Sequence, residues 1–93
     1  MLVKFFAYYR DKDFAGCKET TVQPVNNLKE LGEVLSERYG DTFRNEFFDA
    51  SGNEIGEKTI VLVNGRRAEF VGGLQAELKD SDIVLIFPVV AGG

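Results

Sequence analysis

The sequence predicts an α+β domain in which a mixed sheet of about four to five strands packs on one main helix. Strand-like segments open and close the 93-residue chain, and one long segment has the helical spacing of apolar residues. Because one helix cannot cover both faces of a sheet, α+β is favoured over a doubly wound α/β fold. A chain of this length forms one domain, which we expect at residues 1–88, followed by a flexible tail at residues 89–93.

The first strand is predicted over residues 3–10, which are rich in aromatic side chains. A period of two places alternate residues on opposite faces. One face carries Val3, Phe5, Ala7 and Tyr9, and the other carries Lys4, Phe6, Tyr8 and Arg10. The charges at Lys4 and Arg10 indicate that the second face is external, so Phe6 and Tyr8 are predicted on an outer surface. A loop over residues 11–17 then leads to a second strand that ends before Pro24, which completes a hairpin with a long connection.

A helix is predicted after Asn27, which stands where an N-cap residue belongs and is followed three residues later by Glu30. Gly40 fits the C-terminal end of this helix. Gly32 lies inside it, and we attribute that glycine to a close approach between helix and sheet. The apolar residues with helical spacing are Leu28, Leu31, Val34, Leu35 and Tyr39.

The second half of the chain supplies three more strands. Phe43, Phe47 and Phe48 extend a short helix onto the core, and a strand at residues 59–63 is joined by Asn64-Gly65 to a short return strand at residues 66–68. The apolar run 83–87 predicts a central strand that is buried on both faces and ends at Pro88. This order predicts a β-grasp sheet, with the first and last strands parallel and adjacent in the middle.

Composition excludes several classes of function. A net charge of −4 and a pI of about 4.8 argue against a nucleic-acid partner. No stretch approaches the ~18 apolar residues of a membrane span, and no signal peptide is recognisable, so we expect a cytoplasmic protein with no membrane partner. The absence of histidine and the single Cys17 exclude a disulfide within the chain and a cysteine-rich zinc or iron–sulfur site. We therefore expect no metal and no bound cofactor, and Cys17 has no histidine to activate it as a nucleophile.

The end of the chain is a candidate chemical group. The six residues from Pro88 to Gly93 would reach roughly 20 Å if extended, and Gly92 and Gly93 add no side-chain bulk. Such an arm suits a narrow active site, where it would present its terminal carboxylate. An ionised carboxylate is a poor electrophile, so it must be activated, for example through adenylation by ATP. The alternative is a frayed terminus that happens to end in two glycines.

Residues 78–93, LKDSDIVLIFPVVAGG, resemble the C-terminus of the MoaD family, the small subunit of molybdopterin synthase. Residues 3–7 with Arg10 resemble the first strand of that family, and residues 61–65 resemble its Val-Asn-Gly hairpin. Two residues depart from the family pattern. Val89 stands where the family has a second proline, and Ser81 stands where it has glycine.

The resemblance implies a ubiquitin-like β-grasp sulfur carrier that is not an enzyme by itself. Gly93 would be adenylated by a partner of the ubiquitin-activating type, which uses ATP, and would then become a thiocarboxylate. The tail would enter the large catalytic subunit of molybdopterin synthase and give its sulfur to the molybdopterin or tungstopterin precursor. The implied tail residues are Pro88, Val89, Val90 and Ala91 before Gly92 and Gly93, and the implied partner-binding residues are Phe6 and Phe87. Arg10 and Arg67 are further partner-binding candidates, because an arginine near an apolar patch can anchor an acidic partner; the alternative is solvated surface charge.

Other functions share the same first step. Related carriers serve thiamine, cysteine or transfer-RNA thiolation, and others are protein modifiers that would be conjugated to lysines through Gly93. A ubiquitin-like binding module with an inert tail is a further alternative. The sequence alone does not separate these possibilities.

Overall fold

Five strands and two α-helices make up the part of the chain that the structure, a computed structural model, describes: residues 1–89. Three short 3-10 helices lie in the connections, at Ala7–Arg10, Ala68–Phe70 and Gly73–Gln75. The helices are α1 (Leu28–Tyr39) and α2 (Asp41–Phe47). The strands are β1 (Leu2–Phe5), β2 (Glu19–Thr21), β3 (Thr59–Val63), β4 (Arg66–Arg67) and β5 (Ile83–Pro88).

The five strands form one mixed sheet in the order β2-β1-β5-β3-β4. β1 and β5 are parallel neighbours, whereas the other three pairs are antiparallel. The first and last strands therefore lie side by side within the sheet, which confirms the predicted α+β class and β-grasp arrangement. No helix within residues 1–89 combines the length and the apolar character that crossing a bilayer requires.

The core lies between one face of the sheet and α1. Alternate residues of the three inner strands are buried on this face, and they pack with the apolar residues that the helical spacing predicted. The strand residues are Val3, Phe5, Val61, Val63, Val84 and Ile86, and the helix residues are Leu28, Leu31 and Leu35.

Helix α1 begins and ends where the sequence predicted. The Asn27 side chain accepts a hydrogen bond from the backbone N–H of Glu30 at 2.9 Å, which satisfies a donor of the first turn. The Glu30 carboxylate in turn accepts from the backbone N–H of Asn26 at 2.8 Å, one residue earlier than a standard capping box. Gly40 ends the helix with a φ of 99°, a conformation that favours glycine.

The first strand is shorter than predicted. β1 ends at Phe5, and Ala7 has a φ of 52°, which turns the chain into the 3-10 helix. The backbone N–H of Phe6 still donates to the Ile86 carbonyl at 3.1 Å, but the Phe6 carbonyl accepts from Tyr9 within the turn. Strict alternation therefore stops at Phe6, and Ala7 is exposed rather than buried.

The last strand corrects a second expectation. β5 is central, but it is not buried on both faces: Val84, Ile86 and Pro88 are buried, whereas Ile83 is 43% exposed and Leu85 and Phe87 are half-buried. Both helices pack on the same face of the sheet, so nothing within residues 1–89 covers the other face of this strand. Its apolar side chains therefore form a surface.

The predicted Asn64-Gly65 hairpin joins β3 and β4. Both residues have positive φ, at 51° and 84°, as the tight turn requires. The Asn64 side chain donates to Asp82 at 2.8 Å, and this hydrogen bond holds the pKa of the Asp82 carboxyl below its usual value. β4 is one residue shorter than predicted, because Ala68 begins a 3-10 helix.

Gly32 lies where α1 crosses the second helix. A Cβ at this position would lie 2.5 Å from Phe47 Cε1 and 2.5 Å from Phe48 Cζ, which is closer than atoms can pack. The close approach is thus to the aromatic rings of α2 and the residue after it, and not to the sheet as the sequence suggested.

We expect Gly32→Ala to lower the melting temperature, although alanine favours helix by about 1 kcal/mol. Overpacking against two buried rings costs about 1–3 kcal/mol, so the net loss of about 1 kcal/mol lowers Tm by about 4–8 °C. Thermal unfolding followed by circular dichroism measures this. Ser36→Ala in the same helix is the control, because it removes a buried hydroxyl without adding volume. A Gly32→Ala melting temperature equal to or above wild type would contradict the packing argument.

Candidate functional site

An apolar groove of about 440 Å³ runs along the face of the sheet that the helices leave open. It crosses the central strand β5 and reaches β3 on one side and the turn after β1 on the other. Its lining residues are all apolar: Phe6, Ala7, Leu62, Leu85, Phe87 and Pro88. A contiguous apolar surface of this kind on a small domain marks an interaction site.

The structure brings two of the predicted partner-binding residues together in this groove. The rings of Phe6 and Phe87 pack edge to face, with their centroids 6.0 Å apart. Their contact follows from the parallel pairing of β1 with β5, which carries Phe6 alongside the end of β5. Residues 81 positions apart in the chain thus form one wall of the groove.

A third predicted residue, Arg10, lies at the edge of the groove. Its guanidinium Cζ is 5.0 Å from the centroid of the Phe6 ring, within the range of a cation–π interaction. Its Nε donates a hydrogen bond of 2.7 Å to the Phe5 carbonyl. The 3-10 turn over residues 7–10 makes both contacts possible, because it folds Arg10 back over Phe6.

The fourth predicted residue, Arg67, lies apart from the other three. It pairs across the strands with Leu62, so it belongs to the same face of the sheet, but it does not line the groove. Its guanidinium forms an exposed ion pair of 2.8 Å with Glu69. It lines a neighbouring cavity of about 370 Å³ between residues 54–59 and 67–73.

Sequence reasoning missed Leu62 and Leu85 as groove residues. Neither residue had a signal in the sequence, because residues 60–63 and 83–87 are uniformly apolar. In the structure, Thr59, Val61 and Val63 of β3 are buried, so a period of two directs Leu62 outward. Only the position of the helices shows which face of β5 is open.

Hydrogen bonds anchor the turn that carries Arg10. The buried Thr59 hydroxyl donates to the Glu46 carbonyl at 2.8 Å, so the Tyr9 hydroxyl must be the donor in its own contact with Thr59. The Tyr8 hydroxyl donates to the Glu46 carboxylate. Burial and this carboxylate raise the pKa of Tyr8 to about 12, so it stays protonated at neutral pH. Tyr8 is therefore tied to α2 and does not line the groove.

The start of the predicted tail continues the sheet. Pro88 is the last residue of β5 and lies opposite Thr59, and the backbone N–H of Val89 donates to the Lys58 carbonyl at 2.8 Å. The Val89 side chain is 47% exposed. The other predicted tail residues, Val90, Ala91, Gly92 and Gly93, lie outside the described residues.

Neither Cys17 nor any acidic cluster forms a second chemical centre within residues 1–89. The free thiol of Cys17 is half-buried, with its Sγ 3.5 Å from the Tyr39 hydroxyl. Among the described residues, no three side chains of the metal-binding types are placed to hold an ion.

The mixed sheet with its parallel first and last strands defines the ubiquitin-like β-grasp class of fold, and comparison with known proteins identifies the family within it. The ThiS family profile matches residues 3–93, so the chain belongs to the ThiS family of ubiquitin-like sulfur carriers. No curated protein sequence matches the chain.

Several solved structures are similar over nearly the whole chain. One is a chain in the crystal structure of the BexX/CysO complex from Amycolatopsis orientalis. It is 26% identical to this chain, with a TM-score of 0.81, and the match covers 99% of this chain and 98% of that chain. The small archaeal modifier protein SAMP1 from Methanosarcina acetivorans is 28% identical, with a TM-score of 0.81 and coverage of 99% and 94%. A putative molybdopterin converting factor, subunit 1, from Pyrococcus furiosus is 31% identical, with a TM-score of 0.70 and coverage of 96% and 95%.

Proposed function

We propose that the chain is a sulfur carrier whose Gly93 carboxylate becomes a thiocarboxylate, and that it serves as the small subunit of molybdopterin synthase. The observation that carries this proposal is the position of Gly92-Gly93. The two glycines follow shortly after Val89, where β5 leaves the domain beside the apolar groove. A partner that covers the groove would therefore lie beside Val89, from which the last four residues continue.

The chemistry requires a terminal carboxylate, ATP, a sulfide-level sulfur donor and a partner enzyme. The Gly93 carboxylate attacks the α-phosphate of ATP, which releases pyrophosphate and leaves an acyl-adenylate. A sulfide-level sulfur nucleophile then attacks the carbonyl, AMP leaves, and a thiocarboxylate remains. Glycine suits this position because no Cβ crowds the carbonyl carbon. The chain acts as substrate and sulfur donor, while the partner supplies catalysis.

The groove is the proposed docking surface for these partners. Phe6 and Phe87 form its wall, and Arg10 lies at its edge. Apolar surface that is rimmed by charge is typical of the centre of a protein–protein interface. The similar chain from Amycolatopsis orientalis was crystallised in complex with BexX, which supports an enzyme partner. For this chain we propose a ubiquitin-activating-type adenylating enzyme and the large subunit of molybdopterin synthase.

The molybdopterin branch is supported by the C-terminal residues and by the similar protein from Pyrococcus furiosus. The departure at Val89 has a structural account. Its backbone N–H donates to Lys58, a hydrogen bond that the second proline of the MoaD pattern could not make. Valine at this position therefore extends the pairing of β5 with the chain before β3 by one hydrogen bond.

Intact-mass spectrometry tests the proposal. We expect the purified chain, incubated with the adenylating enzyme, ATP and a sulfide donor, to gain the mass of one oxygen-to-sulfur exchange, located at Gly93 by fragmentation. Addition of the large subunit and the pterin precursor should return the original mass as sulfur is transferred. If the adenylating enzyme converts another carrier but leaves this chain unchanged, the sulfur-carrier proposal fails.

A second candidate is a protein modifier joined to lysines through Gly93. The similarity to the small archaeal modifier protein from Methanosarcina acetivorans favours it. The acyl-adenylate is common to both functions, but a lysine amine replaces sulfur as the final nucleophile. Isopeptide-linked products in cell extracts, identified by a lysine that carries residues 80–93 after tryptic cleavage at Lys79, would support conjugation.

A further inference from the structure

We propose that Arg10 is a carboxylate-binding residue, and that the surface docking on the groove presents an aspartate or glutamate beside its apolar contact. This inference rests on the proposed function, because it describes the partner that the groove receives. It assigns Arg10 a specific chemistry, bidentate recognition of a carboxylate, rather than a general contribution to charge.

The first observation is that the guanidinium is already held in place. One contact is the Phe6 ring, whose centroid lies 5.0 Å from Cζ, and the other is the Phe5 carbonyl, which accepts the hydrogen bond from Nε. The two terminal nitrogens of Arg10 form no ion pair and no hydrogen bond with any residue in the range 1–89. The N–H groups on these two nitrogens therefore remain available to a carboxylate. Because the side chain is already held by two contacts, it loses little conformational entropy when a carboxylate binds.

The second observation is the charge around the groove. The chain has a net charge of −4, yet three cations lie on or beside this face. Lys4 of β1 has Glu19 of β2 directly opposite it in the sheet. Arg67 is paired with Glu69, which leaves Arg10 as the cation beside the groove without an acidic partner among residues 1–89. The complementary surface is therefore apolar at its centre and acidic at its edge.

The third observation concerns geometry. A guanidinium that is held over an aromatic ring can donate from two parallel N–H groups to a carboxylate, whereas an ammonium cannot reproduce that arrangement. The proposal thus predicts that lysine does not replace Arg10, although lysine preserves the charge. A surface that used only long-range attraction would accept either residue.

The experiment measures the Kd of the purified adenylating enzyme for variants of this chain at Arg10 and at a control position, Arg66. Arg66 is the matched control: it is exposed and pairs with Val63, whose side chain lies on the helix face, so Arg66 belongs to the face opposite the groove. We expect Arg10→Gln to weaken Kd by about 30-fold and Arg10→Lys by about tenfold. Arg66→Gln and Arg66→Lys should each change Kd by less than about threefold.

Carbodiimide coupling then identifies the partner group. The amine introduced by Arg10→Lys should form a zero-length amide with an aspartate or glutamate of the enzyme, whereas the amine introduced by Arg66→Lys should not. Coupling at position 10 to this chain's own Gly93 carboxylate instead would overturn the proposal. It would also be overturned if Arg10 and Arg66 variants bound equally well.

The two proposals fail in different ways. If the wild-type chain neither binds the adenylating enzyme nor gains sulfur, the proposed function fails. If the wild-type chain binds and gains sulfur while Arg10→Gln does both equally well, only the role of Arg10 is overturned. Circular dichroism of each variant confirms that the compared chains are folded.

Discussion

Deletion of Gly93 is expected to abolish thiocarboxylate formation while leaving the fold unchanged. The variant ends in Gly92, so its carboxylate lies one residue short of the position that the proposed acyl-adenylate occupies. A displacement of one residue, about 3.5 Å, is enough to remove the reacting group from an active site. Residues 1–89 form the sheet and its core without Gly93, so the melting temperature should match wild type.

Ala91→Gly is the control for this deletion. It changes a tail residue but keeps the chain length and the terminal glycine, so conversion measured by intact mass should continue. Thiocarboxylate on the shortened chain would contradict the assignment of Gly93. Loss of folding on deletion would instead show that the terminus stabilises the domain, and a functional partner interaction that survives deletion would favour a binding module with an inert tail.

Leu85→Glu is expected to weaken partner binding by at least about a hundredfold, because a carboxylate would be desolvated at the centre of the apolar groove. The fold should tolerate the change, since Leu85 is half-buried and Lys4 lies opposite it on β1. Titration of the variant against the adenylating enzyme and the large subunit measures the effect. Sulfur loading at limiting enzyme concentration should fall in parallel.

Phe70→Glu provides the matched comparison for the groove. Phe70 is 82% exposed and lies outside the groove, so the variant makes the same change in net charge at another large apolar residue. Binding within about threefold of wild type is expected for Phe70→Glu. Equal loss of binding in both variants would mean that charge, and not the groove, governs docking.

The strands and the main helix could be predicted because their local signals agree with one another. α1 has an N-cap at Asn27 and a C-terminal glycine at Gly40, and both ends lie where the sequence placed them. β3 and its Asn64-Gly65 turn were equally clear. The first strand was predicted too long, because alternation alone does not reveal that Ala7 adopts a positive φ and reverses the chain.

The candidate site was predicted in part. Phe6 and Phe87 were expected to share a patch, and the structure places their rings in contact. Arg10 was expected near the patch, but its cation–π contact with Phe6 depends on a 3-10 turn that the sequence did not indicate. Arg67 was grouped with them, but it lies outside the groove, where it forms an exposed ion pair with Glu69.

The sequence by itself led to the proposed chemistry. The resemblance of residues 78–93 to the MoaD family points to Gly93 as the proposed reactive group, and that proposal rests on no tertiary contact. The tertiary structure decided where partners dock. Residues 83–87 are uniformly apolar, so burial on one face or both satisfies the same pattern. Only the packing of both helices on one side of the sheet leaves Leu85 and Phe87 at the surface, because side-chain exposure depends on neighbours that are distant in sequence.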